Sequence, residues 1–116
     1  MARCPFATWR PLSENATQGH IDPTQVILHT AVDALPSNSS LWGFFERRDV
    51  VVESTFYIKL GGEIEQYLDT TVRADANYTA NERAISIETE DDGTLQPWTP
   101  AQLDAMANRY ANWAKG

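Results

Sequence analysis

The sequence has few of the features that mark a disulfide-rich secreted domain or a membrane protein. Its 116 residues include one cysteine, Cys4, so no disulfide forms within the chain and no cysteine-rich metal site is available. No apolar run approaches the roughly 18 residues that a membrane-spanning helix needs. The N-terminus lacks the apolar stretch of a secretory signal. We therefore expect a protein without a signal peptide that does not insert into a membrane.

Basic residues are also scarce. Nine Lys and Arg residues against sixteen Asp and Glu residues give a formal net charge of −7 at pH 7. A nucleic-acid partner usually requires a basic surface, because contacts to phosphate dominate the affinity. The only adjacent basic residues are Arg47 and Arg48. The charge therefore argues against a nucleic-acid partner and favours a small substrate or a neutral or cationic partner.

The remaining composition is that of one folded domain. Apolar residues make up 42% and charged residues 22% of the chain, which is typical of a globular protein. The length suits a single domain, residues 1–116. Three prolines punctuate residues 1–24, so this segment is predicted to be an irregular N-terminal arm.

Local patterns then predict strands. Residues 26–32 form a short run rich in β-branched side chains, which predicts a strand buried on both faces in the centre of a sheet. Residues 50–58 predict a second strand. Gly61 and Gly62 predict a tight hairpin turn into residues 63–67, since glycine supplies the positive φ angles of such turns. Residues 84–88 alternate strictly between apolar and other side chains and predict a further strand, closed by an acidic turn at residues 90–93.

Two segments predict helices. Ser39 and Ser40 could cap a short helix that ends near Arg47 and Arg48. Thr99 is the predicted N-cap of a second helix, with Pro100 at the first helical position, and Gln102 completes a capping box with Thr99. The helix that follows is predicted to bury one face, consisting of Leu103, Met106, Ala107, Tyr110, Trp113 and Ala114. The predicted fold class is therefore α/β, with a mixed central β-sheet flanked by helices.

His29 and Glu88 are the two residues that stand out chemically. His29 lies within an apolar strand, where an imidazole needs a hydrogen bond or a metal; it could be a core histidine or a functional one. Glu88 ends a strand, and it could instead begin a solvated acidic run. If the two strands are parallel neighbours, both residues lie at carboxyl ends, where ligands bind in open α/β sheets. His20 is predicted to be an ordinary surface residue.

Four segments, in this order and spacing, resemble the N-acetylmuramoyl-L-alanine amidases, a zinc family that includes phage endolysins and peptidoglycan recognition proteins. A strand with a histidine is followed by a tyrosine-containing hairpin, a strand with an upstream Asn and a terminal Glu, and the start of a helix. These segments are residues 26–31, 56–66, 81–88 and 98–103. The resemblance covers roughly residues 24–114 and is closest to endolysins of phages that infect actinobacteria.

The resemblance implies a zinc-dependent hydrolase acting on peptidoglycan. His29 would be a zinc ligand, and Glu88 would be the carboxylate beside the metal-bound water. Asn81 and Thr30 would contact the substrate, a muropeptide. The bond cut would join the lactyl group of N-acetylmuramic acid to L-alanine. The protein would be made in the cytoplasm of an infected bacterium and act on the cell wall after release. An amidase-like fragment that binds peptidoglycan without cutting it is the alternative.

The sequence also departs from the family pattern. The family takes a second His and then an Asp or Cys as metal ligands after the final helix, and neither is present. A motif that often contains His is replaced by residues 73–77, and Ser54 and Thr55 stand where some members have a tyrosine. The departures imply that the fold is incomplete and that residues 25–116 are the N-terminal part of a catalytic domain. The oligomeric state stays open.

Overall fold

A computed structural model describes residues 3–32, 37–47, 53–91 and 97–115. Five strands form one mixed sheet in the order β1-β4-β3-β5-β2. The β3–β4 pair is antiparallel, and the β1–β4, β3–β5 and β2–β5 pairs are parallel, so the predicted mixed α/β sheet is confirmed. The strands are β1 (Thr8–Trp9), β2 (Gln25–Val32), β3 (Phe56–Ile58), β4 (Ile64–Gln66) and β5 (Ala84–Asp91).

The helices are short except at the C-terminus. Helix α1 (Trp42–Phe45) is a single turn. Helix α2 (Pro100–Asp104), a π-helical turn (Ala105–Tyr110) and helix α3 (Ala111–Lys115) follow one another without a break and are called here the C-terminal helix. Short 3₁₀ turns lie at Ser13–Ala16 and Tyr78–Ala80. Within the described residues, no helix is both long and apolar enough to span a membrane.

The alternation of side chains divides the core into two clusters, one on each face of the sheet. The C-terminal helix covers the first face, where the cluster comprises Cys4, Phe56, Ile58, Ile64, Ile85, Ile87, Ala105 and Tyr110. Helix α1 and the N-terminal arm cover the second face, where the cluster comprises Leu12, Leu41, Phe45, Tyr57, Tyr67, Leu68 and Ala74. In the second strand of the hairpin, Ile64 belongs to the first cluster, while Tyr67 just after it belongs to the second.

The N-terminal arm is more ordered than predicted. Strand β1 pairs in parallel with β4, and Cys4 and Leu12 are buried in the two core clusters. The backbone N–H of Cys4 donates to Oε1 of Gln66 over 2.7 Å. The prolines therefore interrupt the arm without preventing it from joining the sheet at its edge, where proline is tolerated.

Strand β2 is not the central, doubly buried strand that its composition predicted. Among the described strands it pairs only with β5, and Val26 and Leu28 are 44% and 42% exposed. These two side chains line an open apolar groove beside Met106 and Tyr110 of the C-terminal helix. The prediction failed because an apolar run shows that the side chains of a strand are hydrophobic but does not show how many strands and helices pack against it.

Strand β5 continues beyond Glu88, so the acidic turn predicted there is wrong where the structure describes it. Glu90 and Asp91 belong to the strand and are 4% and 5% exposed. The Glu90 carboxylate accepts hydrogen bonds from the backbone N–H groups of Asn38 and Leu60, each 2.8 Å long. These bonds offset the cost of burying such a polar group. The rest of the predicted turn, residues 92–93, lies outside the described residues.

Two predicted elements are shorter in the structure. The strand predicted at residues 50–58 is assigned only at Phe56–Ile58, although Thr55 still donates its backbone N–H to Ser86. Residues 50–52 lie outside the described residues, as does Arg48. Helix α1 ends at Phe45. The N-cap residue is Leu41 and no side chain caps the helix, so the predicted serine cap is wrong, although the Ser40 hydroxyl accepts from the Trp42 N–H over 3.0 Å.

The hairpin between β3 and β4 turns at Gly62. This residue has φ +87°, which side chains with a Cβ rarely adopt. A Cβ here would also lie 2.8 Å from the carbonyl oxygen of Ala101. Gly61 has no positive φ, so only one of the two glycines meets the conformational demand that the sequence assigned to both.

The C-terminal helix begins as predicted, but its buried face differs. The capping box of Thr99 and Gln102 is present, with Pro100 in the first turn. Gln102 is buried, and its carboxamide donates to the backbone carbonyl of Glu90 over 2.8 Å. Because Gln102 faces the core, the next residue, Leu103, points away from it and is 48% exposed. The π-helical turn then has more residues per turn than an α-helix, which places Ala107 outside the buried stripe.

We expect Thr99→Ala to lower the free energy of unfolding by about 1 kcal/mol, the usual cost of losing an N-cap oxygen. The Thr99 hydroxyl accepts from the Gln102 N–H over 3.1 Å and donates to the carbonyl of Leu60 over 2.7 Å. Urea denaturation followed by circular dichroism measures the change. Thr99→Ser keeps the oxygen and serves as the control; an equal loss in both variants would contradict the capping role.

Candidate active site

His29 and Glu88 lie side by side on adjacent parallel strands. They are Cα partners in the β2–β5 register, and paired residues of neighbouring strands project from the same face of a sheet. Each is the fifth residue of an eight-residue strand, so the pair lies past the middle of the strands rather than at their ends. Parallel pairing therefore brings together an imidazole and a carboxyl that are 59 residues apart in the sequence (88 − 29).

His29 is half-buried and held by polar partners. Its Nε2 lies 2.7 Å from Oδ1 of Asn77. Its backbone carbonyl accepts a hydrogen bond from the Thr89 hydroxyl over 2.9 Å, and that hydroxyl accepts in turn from the indole N–H of Trp98 over 2.8 Å. Both the ring and the backbone of His29 are thus fixed by hydrogen bonds.

Glu88 is a partly buried carboxyl with a perturbed proton affinity. Burial raises the pKa of Glu88, while the neighbouring His29 and a hydrogen bond from Ser54 oppose the rise without cancelling it. The Ser54 hydroxyl lies 3.3 Å from Oε1 of Glu88 and shares a 2.9 Å hydrogen bond with the Ser86 hydroxyl. A carboxyl that holds its proton more tightly than usual is suited to acid–base chemistry. The alternative of a solvated acidic run is wrong, since the residues around Glu88 are buried.

The other two predicted site residues occupy different positions. The Asn81 carboxamide oxygen accepts the backbone N–H of Asn77 over 2.8 Å, so Asn81 supports the residue that holds His29. Thr30 is exposed and pairs with Thr89 in the register, which places it on the opposite face of β2 from His29. Contact of Asn81 and Thr30 with a substrate stays a prediction.

Sequence reasoning missed two contributors, Asn77 and Ser54. Asn77 is 7% exposed and lies just before a 3₁₀ turn, while Ser54 precedes strand β3. Neither belongs to a periodic segment, so no spacing could indicate them. The one signal was the departure of residues 73–77 from the family pattern, which marked the segment as unusual without assigning it a partner.

The pKa of a second buried carboxylate, Glu65, is shifted in the opposite direction. Burial raises the pKa of Glu65, but hydrogen bonds from Ser40 and Tyr67 and the charge of Lys59 outweigh that effect and lower it. The Tyr67 hydroxyl donates over 2.6 Å, and Lys59 Nζ lies 3.5 Å away. Glu65 is therefore held ionised as a structural group, whereas burial holds the pKa of Glu88 above its usual value.

The described residues do not complete the zinc site that the family resemblance implies. No group of three or more His, Cys, Asp or Glu side chains within the described ranges is placed to hold a metal ion. One imidazole and one carboxyl fall short of the three or four protein ligands that zinc usually takes. His20 does not join them: as predicted it is a surface residue, paired with Asp22 at 3.3 Å.

The fold and this pair of groups define an α/β domain with a candidate acid–base centre on its sheet. Comparison with known protein families then identifies the family of this domain. The N-acetylmuramoyl-L-alanine amidase family matches residues 19–115, which is 97 of the 116 residues, and the chain belongs to this family. No curated protein sequence matches the chain.

Solved structures of amidases share the fold. The amidase LysC from Clostridium intestinale URNW has a TM-score of 0.71 and 19% identity, covering 96% of this chain and 76% of its own. The endolysin amidase LysCS from the same organism has a TM-score of 0.67 and 20% identity, covering 99% and 79%. A selenomethionine derivative of AmpD has a TM-score of 0.63 and 20% identity, covering 90% and 71%. At these identities the likeness establishes the fold.

We expect Glu88→Gln to be more stable than the unmutated protein at pH 7, with the difference shrinking as the pH falls. Since burial raises the pKa of Glu88 above its unfolded value, ionisation costs stability as the pH rises through that raised pKa. Glutamine never ionises and avoids this cost. Urea midpoints between pH 4 and pH 8 measure the effect.

The matched control for this comparison is Glu82→Gln, because Glu82 is exposed. Its urea midpoint is expected to follow that of the unmutated protein at every pH. A Glu88→Gln difference that stays constant over the whole pH range would contradict the assignment of a raised pKa.

Proposed function

We propose that this protein hydrolyses the amide bond between the lactyl group of N-acetylmuramic acid and L-alanine in peptidoglycan. Membership of the amidase family supports the reaction class. The observation that carries the proposal is the register pairing of His29 with Glu88 on one face of the sheet. That pairing gives one small surface both a nitrogen base and a carboxyl with a raised pKa.

Glu88 acts in this proposal as the acid–base group. Amide hydrolysis needs a proton taken from water and a proton given to the leaving amine, and one carboxyl can do both in turn. A pKa raised by burial brings the carboxyl closer to the operating pH than an exposed glutamate. Ser54 keeps the carboxyl oriented through its bond to Oε1. Asn81 and Thr30 are proposed to contact the muropeptide.

We propose His29 as one ligand of a zinc ion, the cofactor that the resemblance implies. A bound zinc ion would polarise the amide carbonyl as a Lewis acid. The described residues supply too few ligands for such a site, so the remaining ligands of the proposed ion would have to come from outside them. The biological role proposed is that of a phage endolysin, made in the cytoplasm of the infected bacterium and acting on its cell wall after release.

A second candidate function is peptidoglycan binding without cleavage. The observation that favours it is the absence of a complete set of metal ligands among the described residues. A binding module would use the same face of the sheet to hold a muropeptide and would not need the raised pKa of Glu88. The two candidates differ in one measurable product, a new N-terminal alanine.

The test is to incubate the purified protein with peptidoglycan and zinc chloride and to label newly formed N-terminal L-alanine. We expect release by the unmutated protein and a loss of about a hundredfold or more in Glu88→Gln, because general acid–base catalysis contributes about that much. His29→Ala is expected to abolish release. Glu63→Gln, at an exposed position of the hairpin, is the control and should retain full activity.

Two outcomes would count against the hydrolase. Unchanged alanine release by Glu88→Gln would contradict the acid–base role of that carboxyl. Sedimentation of the unmutated protein with cell walls, without any alanine release in the presence of zinc, would support the binding module instead.

A further inference from the structure

The hydrogen bond between His29 and Asn77 determines which ring nitrogen carries the proton. Nε2 of the imidazole lies 2.7 Å from Oδ1 of the Asn77 carboxamide. In a neutral imidazole one nitrogen donates and the other accepts, and the carboxamide of Asn can offer either an acceptor oxygen or a donor nitrogen. The orientation of the Asn77 amide therefore decides the tautomer of His29.

The second contact of the Asn77 carboxamide fixes that orientation. Its Nδ2 faces the backbone carbonyl oxygen of Ala84 at 3.4 Å. A carbonyl oxygen only accepts hydrogen bonds, so a flipped amide would turn one oxygen against another. With the nitrogen directed at Ala84, the oxygen faces His29, and Nε2 must carry the hydrogen. The lone pair of the neutral ring is then on Nδ1, to which no side chain or backbone group of the described residues is hydrogen-bonded.

The loop that carries Asn77 is anchored independently of His29. The Asn77 backbone N–H donates to Oδ1 of Asn81 over 2.8 Å, and the preceding N–H donates to the backbone carbonyl of Glu53 over 3.2 Å. Asp75 accepts from the side chain of Gln18 over 2.7 Å. Because the loop is held at several points, the ring of His29 adjusts to Asn77 rather than the reverse.

We propose that Asn77 is a positioning residue for His29, holding the imidazole in its Nε2–H tautomer so that Nδ1 is the basic atom of the site. The importance of this arrangement for catalysis rests on the proposed function, whereas the tautomer itself follows from the two contacts of the carboxamide. The second ring nitrogen of a ligating histidine is commonly held by such a partner.

The test is two-bond ¹H–¹⁵N correlation NMR on the ¹⁵N-labelled full chain, at a pH where the rings are neutral. The chain has only two histidines, and His20→Gln assigns their signals. We expect His29 to show a protonated Nε2 and an unprotonated Nδ1. Free histidine in the same buffer serves as the reference for an imidazole in fast exchange between tautomers.

Two variants separate positioning from general packing. Asn77→Leu removes the acceptor and should shift the ¹⁵N signals of His29 toward the averaged pattern of free histidine. Asn77→Gln keeps a carboxamide with both an acceptor oxygen and a donor nitrogen and should retain the Nε2–H pattern. A proton on Nδ1 in the unmutated protein, or an unchanged tautomer in a folded Asn77→Leu variant, would overturn the proposal. The dispersed amide spectrum recorded on the same samples reports whether each variant is folded.

Activity provides a separate readout. If the protein releases alanine, Asn77→Leu should lower kcat by about ten- to a hundredfold, the usual effect of removing such a partner, with a smaller change in KM. Absence of release by the unmutated protein would contradict the proposed function and leave the NMR result to decide the role of Asn77. The alanine-release assay therefore tests the proposed function, and the NMR experiment separately tests the positioning role of Asn77.

Discussion

The parallel pairing of β2 with β5 is the constraint on which the candidate site depends. It runs for eight residues, from Gln25 opposite Ala84 to Val32 opposite Asp91. A shift of one residue in this register would move His29 to the other face relative to Glu88 and separate the two groups. The register is fixed by the apolar side chains of β5 on the helix-covered face, since Ile85 and Ile87 must stay in the core. Packing of the core on one face of the sheet thus determines which polar groups lie side by side on the other face.

Glu88, which is partly buried, and Glu65, which is fully buried, show that the pKa of the same residue type can shift in opposite directions on one sheet. Glu65 receives donors from Ser40 and Tyr67 and the charge of Lys59, which together outweigh the desolvation of its ionised form. Glu88 has one long hydrogen bond, from Ser54, and an imidazole, so that desolvation prevails. An enzyme needs the second kind of carboxyl for proton transfer and the first kind for structure. Neither property can be deduced from sequence position, because both depend on donors from distant segments.

What could be predicted from the sequence had a local cause. The capping box at Thr99, the glycine turn at Gly62 and the alternation in β5 each arise within a few residues, and all three are present. The edge position of β2 and the pairing of the N-terminal arm depend on neighbours remote in sequence, and both predictions were wrong there. His29 and Glu88 could be singled out because polar residues are unusual in apolar strands. Asn77 could not, since an asparagine in a polar loop is unremarkable until its partner is known.

The arm and the site are connected through polar contacts rather than through the apolar core. Gln18, in the arm, bridges the carboxylates of Glu53 and Asp75 with its side-chain nitrogen, at 3.0 and 2.7 Å. Asp75 begins the loop in which Asn77 contacts His29. Because hydrogen bonds are directional, such a chain fixes orientation more narrowly than apolar contacts of similar strength. The arm, which the sequence indicated only as an irregular extension, therefore helps to hold the loop that orients the imidazole, and the orientation of His29 depends on three segments that are far apart in the chain.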